Sequence, residues 1–370
     1  MRVRIIQVIA RVNRGGTARW IKELIVGLRA NGDEVFLVAG NIQADELEDP
    51  CFLELNGHRI ESLGRSISLI SDIKALIEIR SFIIETKPDL INTHTAKAGV
   101  IGRLAVVTIL RNRPALVHTY HGHLLYGYFP EWKTKIFVLI ERFLAQFTNV
   151  LIAAGDRVKR DLIAVGIGDD EKFQVLRPGV QDFNHLEKGA VRATLNIPEK
   201  KIVVGWLARI ARIKRLDRVI ELGQNFPEVI FLIGGEGEGL DEFKSVASQN
   251  IYFLGWTNPE TIWSASDIAL LTSDNEAQPI ALIEAGYSSL PIVAQNVGSV
   301  SEVVENGKTG YLVSNFSESV VALDKLINSD ELRQKFGAAG RDSILHRFSP
   351  DQFISGHSLA YIKALKDMKS

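Results

Sequence analysis

Apolar runs of strand length alternate with amphipathic stretches along almost the whole chain. Residues 3–9 (VRIIQVI) form the first run. A glycine pair, Gly15-Gly16, separates it from a helical pattern over 18–30 that ends at Asn31-Gly32. Runs at 34–40, 88–94, 115–120 and 149–155 follow, each succeeded by a helical stretch. Strands that read as unbroken apolar segments are buried on both faces, and the helices between them are the crossovers that parallel pairing requires.

The rhythm breaks at 176–189 (LRPGVQDFNHLEKG), whose proline, glycine and polar residues read as a linker. It restarts with runs at 201–208, 228–235, 250–255, 267–273 and 290–295. The pattern predicts an α/β protein of two Rossmann-like, doubly wound domains, 1–180 and 181–349. Such sheets bind ligands beyond the carboxyl ends of their strands, so two facing halves would form a cleft.

Composition narrows the class. The 370 residues, 46% hydrophobic and 24% charged, suffice for two cores, and a net charge of −1 argues against a nucleic-acid binder. The charge divides unevenly: residues 1–180 hold 24 Lys+Arg against 20 Asp+Glu, and subtraction from 43 and 44 leaves 19 against 24 for 181–370. A mildly basic first half suits an anionic partner or membrane surface, although scatter of this size is ordinary. A single cysteine, Cys51, excludes an internal disulfide and fits a reducing compartment. The first apolar run is short and followed by Arg11 and Arg14, unlike a secretory leader, and no uncharged apolar stretch reaches the ~20 residues of a spanning helix. The expectation is a cytoplasmic protein, with contact at the inner face of the plasma membrane left open.

Candidate chemistry gathers just after the strands. Gly15 and Gly16 let backbone N–H groups approach an anion, or form a plain tight turn; neither G-x-G-x-x-G nor a P-loop is present. In GWLARIARIKRLDRVIE (205–221), Arg209 and Lys214 stand nearest the strand end and could clamp a diphosphate, whereas Arg212, Arg215 and Arg218 read as the solvated start of a helix. GGEGEG (234–239) puts Gly235 where a ligand's base or phosphate could come close, or is a plain loop. Histidines cluster in NTHTAKAG (92–99) and HTYHGH (118–123) without metal-ligand spacing. His118 reads as structural, and His121 as a hydrogen-bond donor to an oxyanion.

TSDNEAQPIALIEAG (272–286) carries Glu276 and Glu284. Pro279 suits a first helical turn, which puts Glu276 in the preceding loop and Glu284 on the second turn, angled back toward the helix start. Carboxylates are pure acceptors suited to neighbouring sugar hydroxyls, and the helix start at Pro279-Ile280 between them favours a phosphate. Two surface glutamates would show the same spacing.

Taken in order, these stretches resemble glycosyltransferase family 4, retaining nucleotide-sugar transferases of the GT-B fold. RGGTARWIKELIVGLRANGDEV resembles that family's opening glycine loop and helix. GWLARIARIKRLD resembles its arginine–lysine motif, FLGW…SASDIALLTSDNEAQPIALIEAG its E-x7-E signature, and VVENGKTGYLV the segment that follows. The resemblance implies that Glu276 binds hydroxyls of the donor sugar and Glu284 those of the ribose. It implies that Arg209 and Lys214 hold the diphosphate, that Gly16 offers a backbone N–H near phosphate or acceptor, and that His121 lies near the transferring sugar. Two positions depart from the family: Ala277 and Arg215 stand where glycine is usual, the first beside the sugar pocket, the second in a loop. THTAKAGVIGRL…VHTYHGHLLYGYF further resembles members that build bacterial surface polysaccharides on lipid-linked or oligosaccharide acceptors.

The implied reaction moves a sugar from a UDP- or GDP-sugar to an acceptor hydroxyl with no metal, and the implied fold packs the last helix, 350–370, back on the first domain. Residues 126–143 combine aromatics with Lys133 and Lys135, and read either as a contact for lipid or acceptor or as a core-packing helix. A UDP-sugar 2-epimerase of the same fold and a non-catalytic two-lobed nucleotide-sugar binding protein are the alternatives; the first would lack E-x7-E and the second would be exported.

Overall fold

A computed structural model of the protein describes residues 2–43, 46–64, 66–122, 125 and 130–368. The chain forms two compact units, 1–179 with 350–370, and 180–349. The first contains β1 (Arg4–Ile9), β2 (Glu34–Ala39), β3 (His58–Arg59), β4 (Leu90–His94), β5 (Ala115–Tyr120), β6 (Val150–Ala153) and β7 (Phe173–Val175). Their spatial order is 3-2-1-4-5-6-7, every pairing parallel. The second contains β8 (Val203–Leu207), β9 (Ile230–Gly234), β10 (Ile251–Gly255), β11 (Ile268–Leu271), β12 (Ile292–Gln295) and β13 (Gly310–Val313), in the parallel order 10-9-8-11-12-13.

Each sheet therefore reverses its winding once, between β1 and β4 and between β8 and β11. Helices diverge to opposite faces there, which opens a crevice beyond the strands' carboxyl ends. In the first unit Ile9 pairs with His94 across that reversal. In the second, the chain leaves β8 toward Arg209 and leaves β11 toward Glu276.

Unbroken apolar strands fill a core on both faces of each sheet. Ile5 and Ile9 of β1 pack with Trp20, Ile21, Leu24 and Leu28 of the helix Gly16–Ala30, while Ile6 and Val8 pack on the other face with Ala98, Ile101 and Ala105. The last helix, Pro350–Asp367, adds Phe353, Ala360, Tyr361 and Ala364 to the first of these clusters. Gly27 allows that approach: a Cβ there would lie 2.3 Å from Ile354 Cδ1.

One helix is turned against its own composition. Glu131–Phe147 buries Glu141, whose carboxylate takes the Arg103 guanidinium at 2.6 Å and the Tyr120 hydroxyl at 2.5 Å, all inside the unit. Trp132, Ile136, Leu139, Ile140 and Phe143 are exposed. The core-packing reading of this segment thus fails for those five residues; the buried positions of the helix are Glu141, Leu144 and Ala145. Residues 126–129 of the same stretch lie outside the described residues, as does His123. Among the described residues no helix is long and apolar enough to cross a membrane.

Removing one partner of a buried ion pair strands the other charge. Glu141→Ala is expected to cost about 3–5 kcal/mol of stability, read by urea unfolding. A loss below about 1 kcal/mol would mean that water already solvates Arg103.

Candidate functional site

The second unit builds its site at the β8/β11 reversal. After β8 the chain makes a single 3-10 turn, Arg212–Lys214. That turn is fastened to the end of β11: Thr272 Oγ1 donates to Lys214 O at 2.9 Å and accepts from Trp206 Nε1 at 3.1 Å, and Asp274 N donates to Ile213 O at 2.9 Å. The fastening brings Lys214 Nζ to 2.5 Å from Glu276 Oε1, which also accepts from Ser273 Oγ at 2.6 Å. The side chains of this pair are 25% and 10% exposed, shielded yet open to a ligand.

Glu276 is held from its other side as well. Ser299 N donates to Glu276 O at 3.1 Å, and Gly298 has φ +52° with a hypothetical Cβ only 1.7 Å from that oxygen. Only glycine lets the 296–299 loop come this close. Pro279 caps the helix Ile280–Tyr287 rather than standing in its first turn, a shift of one residue from the expectation, because its carbonyl already accepts from Leu282 N at 2.9 Å. Glu276 lies in the loop before that helix, and Glu284 lies within it, 2% exposed. Ile280, half-exposed or less at the helix start, is where the first turn's amides begin.

Two of the arginines taken for a solvated helix start are partly exposed but also tied into ion pairs. Arg218 donates to Thr272 O at 2.8 Å and pairs with Asp274 at 2.8 Å; Arg215 pairs with Asp217 at 2.7 Å and with Asp274 at 3.2 Å. Arg215 also has φ +54°, the left-handed conformation that glycine takes freely and that costs another residue on the order of 1 kcal/mol. Two aspartates pair with Arg215 at this position, where glycine is usual in the family resembled. Arg212 remains exposed, as expected. Asp274, Thr272, Trp206 and Gly298 were missed by sequence reasoning, since their importance rests on contacts from distant parts of the chain.

The glycine loop after β9 has a structural task. Ala208 N donates to Gly234 O at 3.1 Å and Ile210 N to Glu236 O at 2.8 Å, so the loop runs alongside Arg209. A Cβ on Gly235 (φ +137°) would lie 1.9 Å from Ala208 O, and one on Gly237 would lie 2.0 Å from Ile210 O. Arg209 itself is exposed and makes no ion pair among the described residues.

The first unit presents Gly15 and Gly16, both exposed, at the start of the helix Gly16–Ala30, with Gly15 at φ +149°. His121 follows β5, half-buried, edge-on to Trp20 at 4.9 Å, with its Nε2 2.9 Å from His94 Nδ1. His118 is buried within β5, its Nδ1 2.8 Å from Thr93 Oγ1. Burial pushes all of these rings toward the neutral form: His121 is lowered to about 3, with His357 nearby adding to the effect, and His94 and His118 lie well below the usual histidine range. An uncharged His121 still carries one N–H with which to donate a hydrogen bond. Among the described residues, no group of three or more His, Cys, Asp or Glu is arranged to hold a metal.

Known proteins share the sequence pattern of this chain and its fold. The family model described as Glycosyltransferase Family 4 matches residues 14–182, and that described as Glycosyl transferases group 1 matches 187–343. The UDP-Gal:alpha-D-GlcNAc-diphosphoundecaprenol alpha-1,3-galactosyltransferase of Escherichia coli is 27% identical over 308 residues, 78% of this chain and 79% of the relative. The capsular polysaccharide biosynthesis glycosyltransferase CapM of Staphylococcus aureus is 24% identical over 78% of this chain and 80% of its own. Among solved structures, the sucrose-phosphate synthase of Thermosynechococcus elongatus superposes with a TM-score of 0.83 at 16% identity, covering 98% of this chain and 100% of that one. Anabaena Alr3699/HepE, in complex with UDP and glucose, gives 0.82 at 19% identity over 97% and 99%. The two Rossmann-like units are those of the GT-B fold.

The buried histidines set a pH dependence. His357, its neutral form favoured by burial, is lowered to about 4 in the folded chain, whereas an unfolded histidine titrates near 6.5. The unfolded state therefore binds more protons below about pH 6.5, so this stability is complete above that value and is lost as pH falls toward the folded one. At about pH 5 His357 alone accounts for about 2 kcal/mol, and His94 and His118 act in the same direction. Urea midpoints are expected to drop steadily from about pH 7 to 5; a flat profile would show that these rings are protonated in the native protein.

Proposed function

We propose that this chain, which belongs to the glycosyltransferases through a family 4 domain in its first half and a group 1 domain in its second, moves a sugar from a nucleoside-diphosphate donor to a saccharide hydroxyl in bacterial surface-polysaccharide assembly. The observation that carries this reading is the Lys214–Glu276 pair at the winding reversal of the second sheet, with the exposed Arg209 on the same loop after β8 as Lys214. A lysine and an arginine at the crevice of a doubly wound sheet suit a diphosphate, and a fixed carboxylate at the same place suits sugar hydroxyls.

As the bond from the anomeric carbon to the diphosphate oxygen breaks, negative charge builds on the leaving group and the sugar becomes oxocarbenium-like. Lys214 and Arg209 meet that charge, and the helix start at Ile280 adds its dipole. Glu284 accepts from the ribose hydroxyls and Glu276 from the sugar. Gly235 lets the nucleotide come close to the backbone, and Gly15 and Gly16 offer amides to phosphate or acceptor. His121 makes a hydrogen bond to the saccharide. The departing phosphate takes the acceptor's proton on the face it leaves, so the anomeric configuration is retained. No metal is needed, because two side-chain cations already face the diphosphate.

UDP is favoured over GDP by the names of the E. coli relative and of the HepE complex. The E. coli name also specifies an acceptor on a diphosphoundecaprenol, which favours a lipid-linked saccharide here. We read the outward apolar residues of Glu131–Phe147 in that light, with exposed Lys133 and Lys135, as a peripheral contact with anionic lipid at the inner face of the plasma membrane.

Three results test this reading. Glu284→Ala is expected to weaken UDP binding about ten- to a hundredfold in calorimetry, while Glu276→Ala leaves free UDP binding nearly unchanged and depresses turnover. Intact binding and turnover in both folded variants would remove the reading's main support. Binding of UDP and donor consumption are expected to persist in EDTA; loss restored by manganese would make the transfer metal-dependent. In flotation, the protein is expected to rise with phosphatidylglycerol vesicles but not with phosphatidylcholine, and Leu139→Glu with Phe143→Glu to stay below. Equal behaviour of variant and unaltered protein would refute the lipid contact.

A further inference from the structure

The helix Leu69–Thr86 packs against the helix Ala96–Val107 and leaves its opposite face bare. Ala75, Ile79 and Ile83 are buried and share a core with Ile6 and Val8 of β1. Ile70, Ile73, Ile77 and Ile84 lie on the other side and are 71%, 51%, 56% and 49% exposed. At 3.6 residues per turn these four fall within an arc of about 60°. Isoleucines in one narrow row form a contiguous patch, unlike singly scattered apolar residues, and such patches mark interaction sites.

The spacing of the row says what covers it. Residues 70, 73, 77, 80 and 84 follow the alternating three-and-four interval of a coiled-coil seam, with isoleucine at every place except Arg80. A helix lying in anionic lipid carries an excess of Lys and Arg and exposes aromatic rings. Here Asp72, Glu78 and Glu85 outnumber Lys74 and Arg80, and the one aromatic, Phe82, is turned toward Phe36 and His58. The row therefore suits another helix and not a bilayer.

The charges beside the row set the direction of that helix. Lys74 and Glu78 are exposed on one flank, where Glu78 Oε1 accepts from Ser62 Oγ at 2.9 Å. Two parallel copies would set Arg80 against the partner's Arg80, and like charges disfavour that pairing. Two antiparallel copies, with the twofold axis beside Leu76, set Lys74 opposite the partner's Glu78. By symmetry Glu78 then lies opposite the partner's Lys74. In this register Ile73 meets the partner's Ile77, and Ile70 meets the partner's Ile84. The stem of Arg80 lies over the partner's Leu69, with its charge toward water.

We propose that Leu69–Thr86 is a self-association surface on which a second copy of this chain docks antiparallel, through the isoleucine row and two reciprocal Lys74–Glu78 pairs. The proposal does not rest on the glycosyl-transfer reading.

One helix per partner is a small interface, so sedimentation equilibrium of the full chain is expected to show a monomer–dimer transition between about 1 and 100 µM. A chain that stays monomeric throughout overturns the proposal. Ile73→Glu with Ile77→Glu, at exposed positions that leave the core intact, is expected to weaken association by about tenfold or more. Unchanged association of that variant overturns the proposal too. Lys74→Glu and Glu78→Lys each put like charges into both pairs and are each expected to weaken the homodimer. An equimolar mixture of these two variants restores opposite charges and is expected to associate again; a mixture that stays apart would refute the antiparallel register. Leu139→Glu with Phe143→Glu is expected to dimerise like the unaltered chain, and loss of association there would move the contact to Glu131–Phe147. If the unaltered chain instead rises as a monomer with phosphatidylglycerol vesicles and Ile73→Glu with Ile77→Glu stays below, the row is a lipid contact and the proposal fails. None of these measurements involves sugar transfer, so failure of either reading is seen separately.

Discussion

Lys214 and Glu276 are 62 positions apart in the chain and meet at 2.5 Å. A partly exposed ion pair contributes little stability, so it cannot be what draws the two loops together. Uncharged hydrogen bonds do that: a threonine hydroxyl, a tryptophan N–H and the backbone amides of Asp274 and Ser299 fasten both loops before any side-chain charge is counted. The pair is therefore held in place rather than holding. An ammonium fixed in this way loses little freedom when an anion arrives, which is the condition under which electrostatic stabilisation is most effective. Gly235, Gly237 and Gly298 serve the same end, because each lets one backbone segment lie directly against another at the strand ends.

Much of the fold was legible because parallel strands buried on both faces leave unbroken apolar runs. β1, β5, β9 and β12 stand within a residue or two of the runs that predict them. β3, β7 and β13 were not read, since two to four residues carry no period to detect. At the site, Lys214, Glu276 and the place of Glu284 were legible from spacing. The roles of Arg215 and Arg218 were not, because Asp274, their shared partner, comes from a strand end more than fifty residues away. The position of His121 just past β5 was legible, but its neutral state was not, because burial beside other histidines is a property of the packed fold. The helix Glu131–Phe147 misled for a related reason, since its one inward carboxylate is explained only by an arginine on another helix.

The order of the chain adds a constraint of a different kind. The first unit is built from two separated pieces, and its last piece, Pro350–Asp367, follows the whole of the second unit. A ribosome releases the N-terminal sheet long before it makes Phe353 or Tyr361. Until then Trp20 stands without Phe353, and the side-chain N–H groups of Gln7 and Asn92 lack the Tyr361 oxygen to which both donate. The nascent first half is thus obliged to wait with its core open on one face, and the second unit, continuous in sequence, is free to finish first.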